Sequence, residues 1–127
     1  MKKILLGVVL FFSTLMVVDA SSISKINMDI YVANDGTATV TETWNASVNQ
    51  GTEGWHPYYN LGASEIYDVK ASMDGTDFTT VSDWNESSDL SGKAYKAGLY
   101  YPDSNEVDVV FGVSSYGNHE YKIQYKI

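Results

Sequence analysis

The sequence predicts an all-β protein built as a two-sheet sandwich of about seven short strands. Three observations lead there. After residue 20 the chain alternates apolar and polar residues over most of its length, the period of a strand with one buried face. Asn34-Asp35-Gly36, Asp74-Gly75, Pro102-Asp103 and Gly117-Asn118 punctuate that alternation at short intervals, as hairpin turns do. Residues 21–127 are long enough for one domain, which at this size buries about two-thirds of the surface of its unfolded chain.

The elements follow in order. Met1 to Ala20 reads MKKILLGVVLFFSTLMVVDA. Lys2 and Lys3 precede an apolar stretch from Ile4 to Val18, and Val18-Asp19-Ala20 ends it with the residues a signal peptidase reads. The run falls short of the roughly 18 apolar residues of a spanning helix. The expectation is a signal peptide over 1–20, cleaved after Ala20, with the remainder, 21–127, exported to the outer side of the cytoplasmic membrane.

In the first strand Ile26, Met28, Ile30 and Val32 alternate with Lys25, Asn27, Asp29 and Tyr31. Asn34-Asp35-Gly36 supplies the positive φ of a tight turn and leads into Thr37 to Val48. There Ala38, Val40, Glu42, Trp44, Ala46 and Val48 share one face and the threonines at 37, 39, 41 and 43 share the other. The segment Gln50 to Gly62, with Gly51, Gly54, Pro57 and Gly62, reads as a long loop. Tyr67, Val69, Ala71 and Met73 mark a third strand, and Asp74-Gly75 turns it toward a short one around Phe78. Ser82 to Lys93, except for Trp84, is polar and reads as loop. Tyr95, Ala97 and Leu99, then Val107, Val109, Phe111 and Val113, then Tyr121, Ile123, Tyr125 and Ile127 complete the set.

Charge and composition narrow the function classes. Without residues 1–20 the chain has six lysines against fifteen acidic residues, a formal charge of −9, and no arginine. Phosphate backbones repel such a surface, and it lacks the planar fork that grips phosphate. Nucleic acid is not an expected partner. There is no cysteine, so packing rather than disulfides must hold an exported domain together. That fits a bacterial envelope, and the sequons at Asn45 and Asn85 are read as chance.

The signal segment, "DGTATVTETW" as a D-G-x-x-x-V-x-E hairpin, "EIYDVKASMDG" and the closing "EYKIQYKI" together resemble the N-terminal domain of a bacterial predicted-membrane-protein family, domain of unknown function 2207. The resemblance covers essentially all of 21–127. It implies an immunoglobulin-like sandwich outside the membrane, with attachment through transmembrane helices that follow in longer members. It implies no established activity. Where many members carry an arginine-containing segment after the second strand, this chain has Gly54-Trp55-His56-Pro57.

Few residues suggest chemistry. Glu42 stands on an apolar face, where a carboxylate needs hydrogen bonds or a cation. It is expected to be structural, accepting backbone N–H or tyrosine hydroxyl bonds and pinning the 50–62 segment, with Lys25 or Lys93 as possible cations. Trp55, His56, Tyr58 and Tyr59 crowd one segment. They either cap the end of the core or bind a glycan or peptide by stacking. His56 and His119 have no ligand partners at zinc spacing. Asp83 to Asp89 imitates a calcium loop but lacks the sixth-position glycine and has Ala94 where a bidentate glutamate belongs. No nucleophile, phosphate or dinucleotide motif occurs. The expectation is a non-catalytic exported module without cofactor or metal, the outer part of a membrane-associated protein, with a glycan- or peptide-binding module as the alternative.

Overall fold

A computed structural model describes residues 21–127, and the expected signal peptide lies outside the described residues. The strands are β1 (Ser22–Val32), β2 (Ala38–Val48), β3 (Glu53–Tyr59), β4 (Tyr67–Met73), β5 (Thr76–Asp77), β6 (Thr79–Val81), β7 (Lys96–Asp103), β8 (Glu106–Gly112) and β9 (Gly117–Lys126), with one short helix, α1 (Leu90–Lys93), before β7. They form a five-stranded sheet in the order β1-β2-β9-β4-β5 and a four-stranded sheet in the order β3-β8-β7-β6. The two-sheet sandwich is as expected, but with nine strands rather than about seven.

Local chemistry accounts for the hairpins. Between β1 and β2, Gly36 takes φ +90°, Asp35 Oδ1 accepts the Thr37 N–H at 2.9 Å and Ala33 bonds Thr37 across the turn at 2.8 Å. Between β4 and β5, Asp74 and Gly75 both have positive φ, 49° and 86°, the pattern whose twist suits a two-residue hairpin. β5 then ends after two residues. Phe78 bonds back to Ala71 and the chain changes layer, entering the small sheet as β6.

Several expectations need correcting. Pro102-Asp103 and Gly117-Asn118 lie within the ends of β7 and β9 rather than in turns. Glu53–Tyr59 is a strand, not loop: it pairs antiparallel with Glu106–Gly112 from Tyr59↔Glu106 to Glu53↔Gly112. Pro57 is tolerated because β3 is an edge strand, where a missing N–H can face away from the ladder. A Cβ at Gly54 would collide with the Phe111 ring, so this glycine serves close packing rather than a turn. The 82–93 segment is likewise not simply loop. β6 runs parallel to β7, and a parallel pair requires a crossover. That crossover, with α1 capped by Asp89 Oδ1 accepting the Gly92 N–H at 2.8 Å, lies on the outer face of the small sheet. There it buries Trp84 and Val110, and a Cβ at Gly112 would overlap the Lys93 carbonyl.

The core lies between the sheets. Val40, Val69, Ala71, Met73, Tyr121, Ile123 and Tyr125 face Ala97, Val107, Val109 and Phe111. These are the alternating rows of β2, β4, β7, β8 and β9. The corresponding row of β1 does not join them: every residue of β1 is exposed.

Candidate functional site

Glu42 is central to the inner face, 1% exposed between its cross-strand neighbours Met28 and Ile123. Its carboxylate accepts from three side chains. Trp44 Nε1 donates to Oε1 at 3.2 Å, His56 Nδ1 to the same oxygen at 2.8 Å, and Tyr125 OH to Oε2 at 2.7 Å. An ionised carboxylate only accepts, so the imidazole proton sits on Nδ1. Tyr125 spends its one proton on Glu42, so Tyr58 must donate to the Tyr125 oxygen, 2.5 Å away. The His56 ring stacks on Tyr58 at 4.6 Å, and Trp44 meets Phe111 edge-on at 5.4 Å.

This geometry sets the electrostatics. Burial alone would raise the Glu42 carboxyl, but the bonds from His56, Tyr125 and Trp44 outweigh it and hold the group below its ordinary value. Burial, with the bonds to Tyr58 and Glu42, pushes the Tyr125 hydroxyl well upward. The partner of Glu42 is thus His56, with neither Lys25 nor Lys93 taking part. Lys93 is buried elsewhere, under the crossover. It donates to Thr52 Oγ1 at 3.0 Å and the Glu86 carbonyl at 2.5 Å, and it pairs with Glu53 at 3.5 Å. Glu53 also accepts from Trp84 Nε1 at 2.6 Å.

Because 53–59 is a strand, its aromatics do not form one cluster. His56 and Tyr58 point inward to Glu42 and Tyr125, whereas Trp55 and Tyr59 point outward, 54% and 60% exposed. Their outer face holds Asp108, paired across the ladders with Pro57 and Tyr100. Asp108 is 8% exposed, and its Oδ1 has no partner. Burial raises its carboxyl, and Glu106, Glu53 and Asp103 raise it further.

At one end of the sandwich Asp74 meets His119 and Ser115, which lie four residues apart across the next turn. His119 Nδ1 lies 2.6 Å from Asp74 Oδ2 and Nε2 lies 3.2 Å from Ser115 Oγ. Carboxylate, imidazole and hydroxyl follow one another as in a nucleophile relay. Here they join two turns, with Asp74 also accepting the Glu120 N–H at 2.8 Å. No motif spacing could reveal this set, since residues 74 and 119 meet only through the β4–β9 pairing. Among the described residues no group of three His, Cys, Asp or Glu is placed to hold a metal ion.

Residues 22–127 match the family described as predicted membrane protein (DUF2207) N-terminal domain, and the chain belongs to that family. No curated protein and no solved structure matches it.

Two predictions concern the buried carboxylates. Glu42→Ala strands three donors and should cost about 2 to 4 kcal/mol, with Tyr125→Phe costing about 1 to 2. A carboxyl lowered from 4.5 contributes its stability in full above the unfolded value and loses it as pH falls through the lower folded value. The gap between wild type and Glu42→Gln in urea midpoint should therefore be constant at neutral pH and close below about pH 4.5. Asp108 has the opposite sign. Its raised carboxyl makes the ionised form unfavourable to folding, a cost that grows as pH rises from the unfolded value through the folded one. Asp108→Asn should be more stable than wild type at pH 7, by up to about 1 kcal/mol, with the advantage shrinking on acidification. Denaturation at two pH values checks both signs.

Proposed function

From membership in a predicted-membrane-protein family, we propose that this chain is a non-catalytic extracytoplasmic module of a membrane-associated protein. The family match is the observation that carries the reading. Two features support it. The sequence of residues 1–20 has the form of an export signal, and no helix among the described residues is long and apolar enough to cross a membrane. In this reading the Glu42 network is architectural, holding β3 against the large sheet, and the Asp74, His119 and Ser115 set clips two turns together. An exported chain should begin at Ser21 and fractionate with the envelope or medium. N-terminal sequencing checks this, and recovery of intact Met1 from the cytoplasm would overturn it.

The outward Trp55 and Tyr59 favour a second reading, a module that binds glycan or extended peptide on the outer face of the small sheet. Exposed aromatic rings give broad contact at little entropic cost. Trp55→Ala with Tyr59→Ala should then abolish retention on cell-wall material without changing the thermal midpoint. Tyr58→Ala, which faces inward, should lower the midpoint instead. Wild-type protein that is not retained removes this second reading.

A further inference from the structure

β1 carries an apolar row that points inward yet remains in water. Ile26, Met28, Ile30 and Val32 pair across the ladder with Trp44, Glu42, Val40 and Ala38, so they face the small sheet's side. Val40 and Glu42 are 2% and 1% exposed, whereas the β1 row is 43 to 62% exposed. The cause is a step in the sandwich. The large sheet has five strands and the small sheet four, and its edge strand β3 reaches β2 and β9 through His56 and Tyr58. One strand's width of inner face is left open. The same flank opens into a cleft of about 210 Å3 lined by Ile23, Trp44, Val48 and Phe111.

What fits the opening is a strand with an apolar face, lying beside β3 in the layer of the small sheet. β1 of a second copy is such a strand. We propose that the chain forms a two-fold dimer in which two β1 strands pack face to face, each filling the vacant fifth position of its partner's small sheet.

The surface is self-complementary, as an isologous contact requires: each copy both offers the overhang and lacks a strand opposite it. Four half-exposed side chains leave roughly 400 Å2 of contiguous apolar surface per copy, within the range of the largest, often functional, patch on a monomer. Two such rows bury roughly 800 Å2 in all, below the about 1,200 Å2 of a standard interface, so the contact is a weak dimer that high protein concentration favours. The row bears no charge. Lys25 and Asp29 lie on the opposite face of β1, against Asn45 and Thr41. The two copies nevertheless repel at long range through their acidic surfaces, so added salt should strengthen the dimer. The contact is one of side-chain faces and adds no continuous ladder to β3, because Pro57 in β3 has no N–H to offer.

The absence of cysteine gives a clean test on the purified chain. Met28→Cys should be cross-linked to a covalent dimer by a short bismaleimide, while Tyr31→Cys, on the other face of the same strand, should stay monomeric. In sedimentation equilibrium, Met28→Lys should raise the dimer dissociation constant at least about tenfold, with circular dichroism and thermal midpoint showing the fold retained. Ile30→Lys is the second variant should the first fail to fold. Wild-type chain that remains monomeric at high salt and high concentration would overturn the proposal, as would equal cross-linking of the two cysteine variants. Binding of the monomer to lipid vesicles through the Met28 row would overturn it in favour of a membrane surface.

Discussion

The carboxylate of Glu42 holds the two layers in relation to each other. β3 has one ladder partner, β8, and hydrogen bonding within the small sheet cannot fix where β3 lies over the large one. His56 and Tyr58 do that, by bonding Glu42 on β2 and Tyr125 on β9. Bonds to an ionised acceptor are about twice as strong as neutral ones, and in a buried site each lost bond strands a donor. Because β3 sits over β2 and β9, β1 extends beyond the small sheet, and the open flank follows from the same interaction.

The outer face of the small sheet is organised differently. A parallel β6–β7 pair obliges the chain to cross over that face, and the crossover brings the only buried lysine among the described residues into contact with Glu53, Thr52 and the Glu86 carbonyl. Lys93 is well satisfied there. Asp108, on the same face, is not: it has acidic neighbours and an unpartnered oxygen. Two buried carboxylates in one small domain thus shift in opposite directions, one because donors converge on it and the other because burial and acidic neighbours disfavour its charge.

Membership in a predicted-membrane-protein family and an acidic sandwich with one open inner flank are compatible physical facts. The outward Trp55 and Tyr59 and the inward β1 row lie on different surfaces, so a ligand on the first would not compete with a partner on the second.

Much of the architecture was legible from alternation. The rows of β2, β4, β8 and β9 appear in the sequence as they appear in the core, because a strand's two faces are set by parity alone. Asn34-Asp35-Gly36 and Asp74-Gly75 announced their turns, since positive φ restricts residue choice. Glu42 could be placed on the inner face for the same reason of parity. Tertiary structure alone decided the rest. Gly54 and Pro57 read locally as breakers, and pairing with β8 plus contact with Phe111 made them part of a strand, which divided the aromatic residues between two faces. The partner of Glu42 was His56 rather than a lysine because the packing of one sheet on the other, not spacing, brings 42 and 56 together. Asp74 reached His119 only through the β4–β9 register. Parity told which side of β1 faces inward, but whether anything covers that side depends on how many strands the opposing sheet has, a property of the assembled layers and of no single segment.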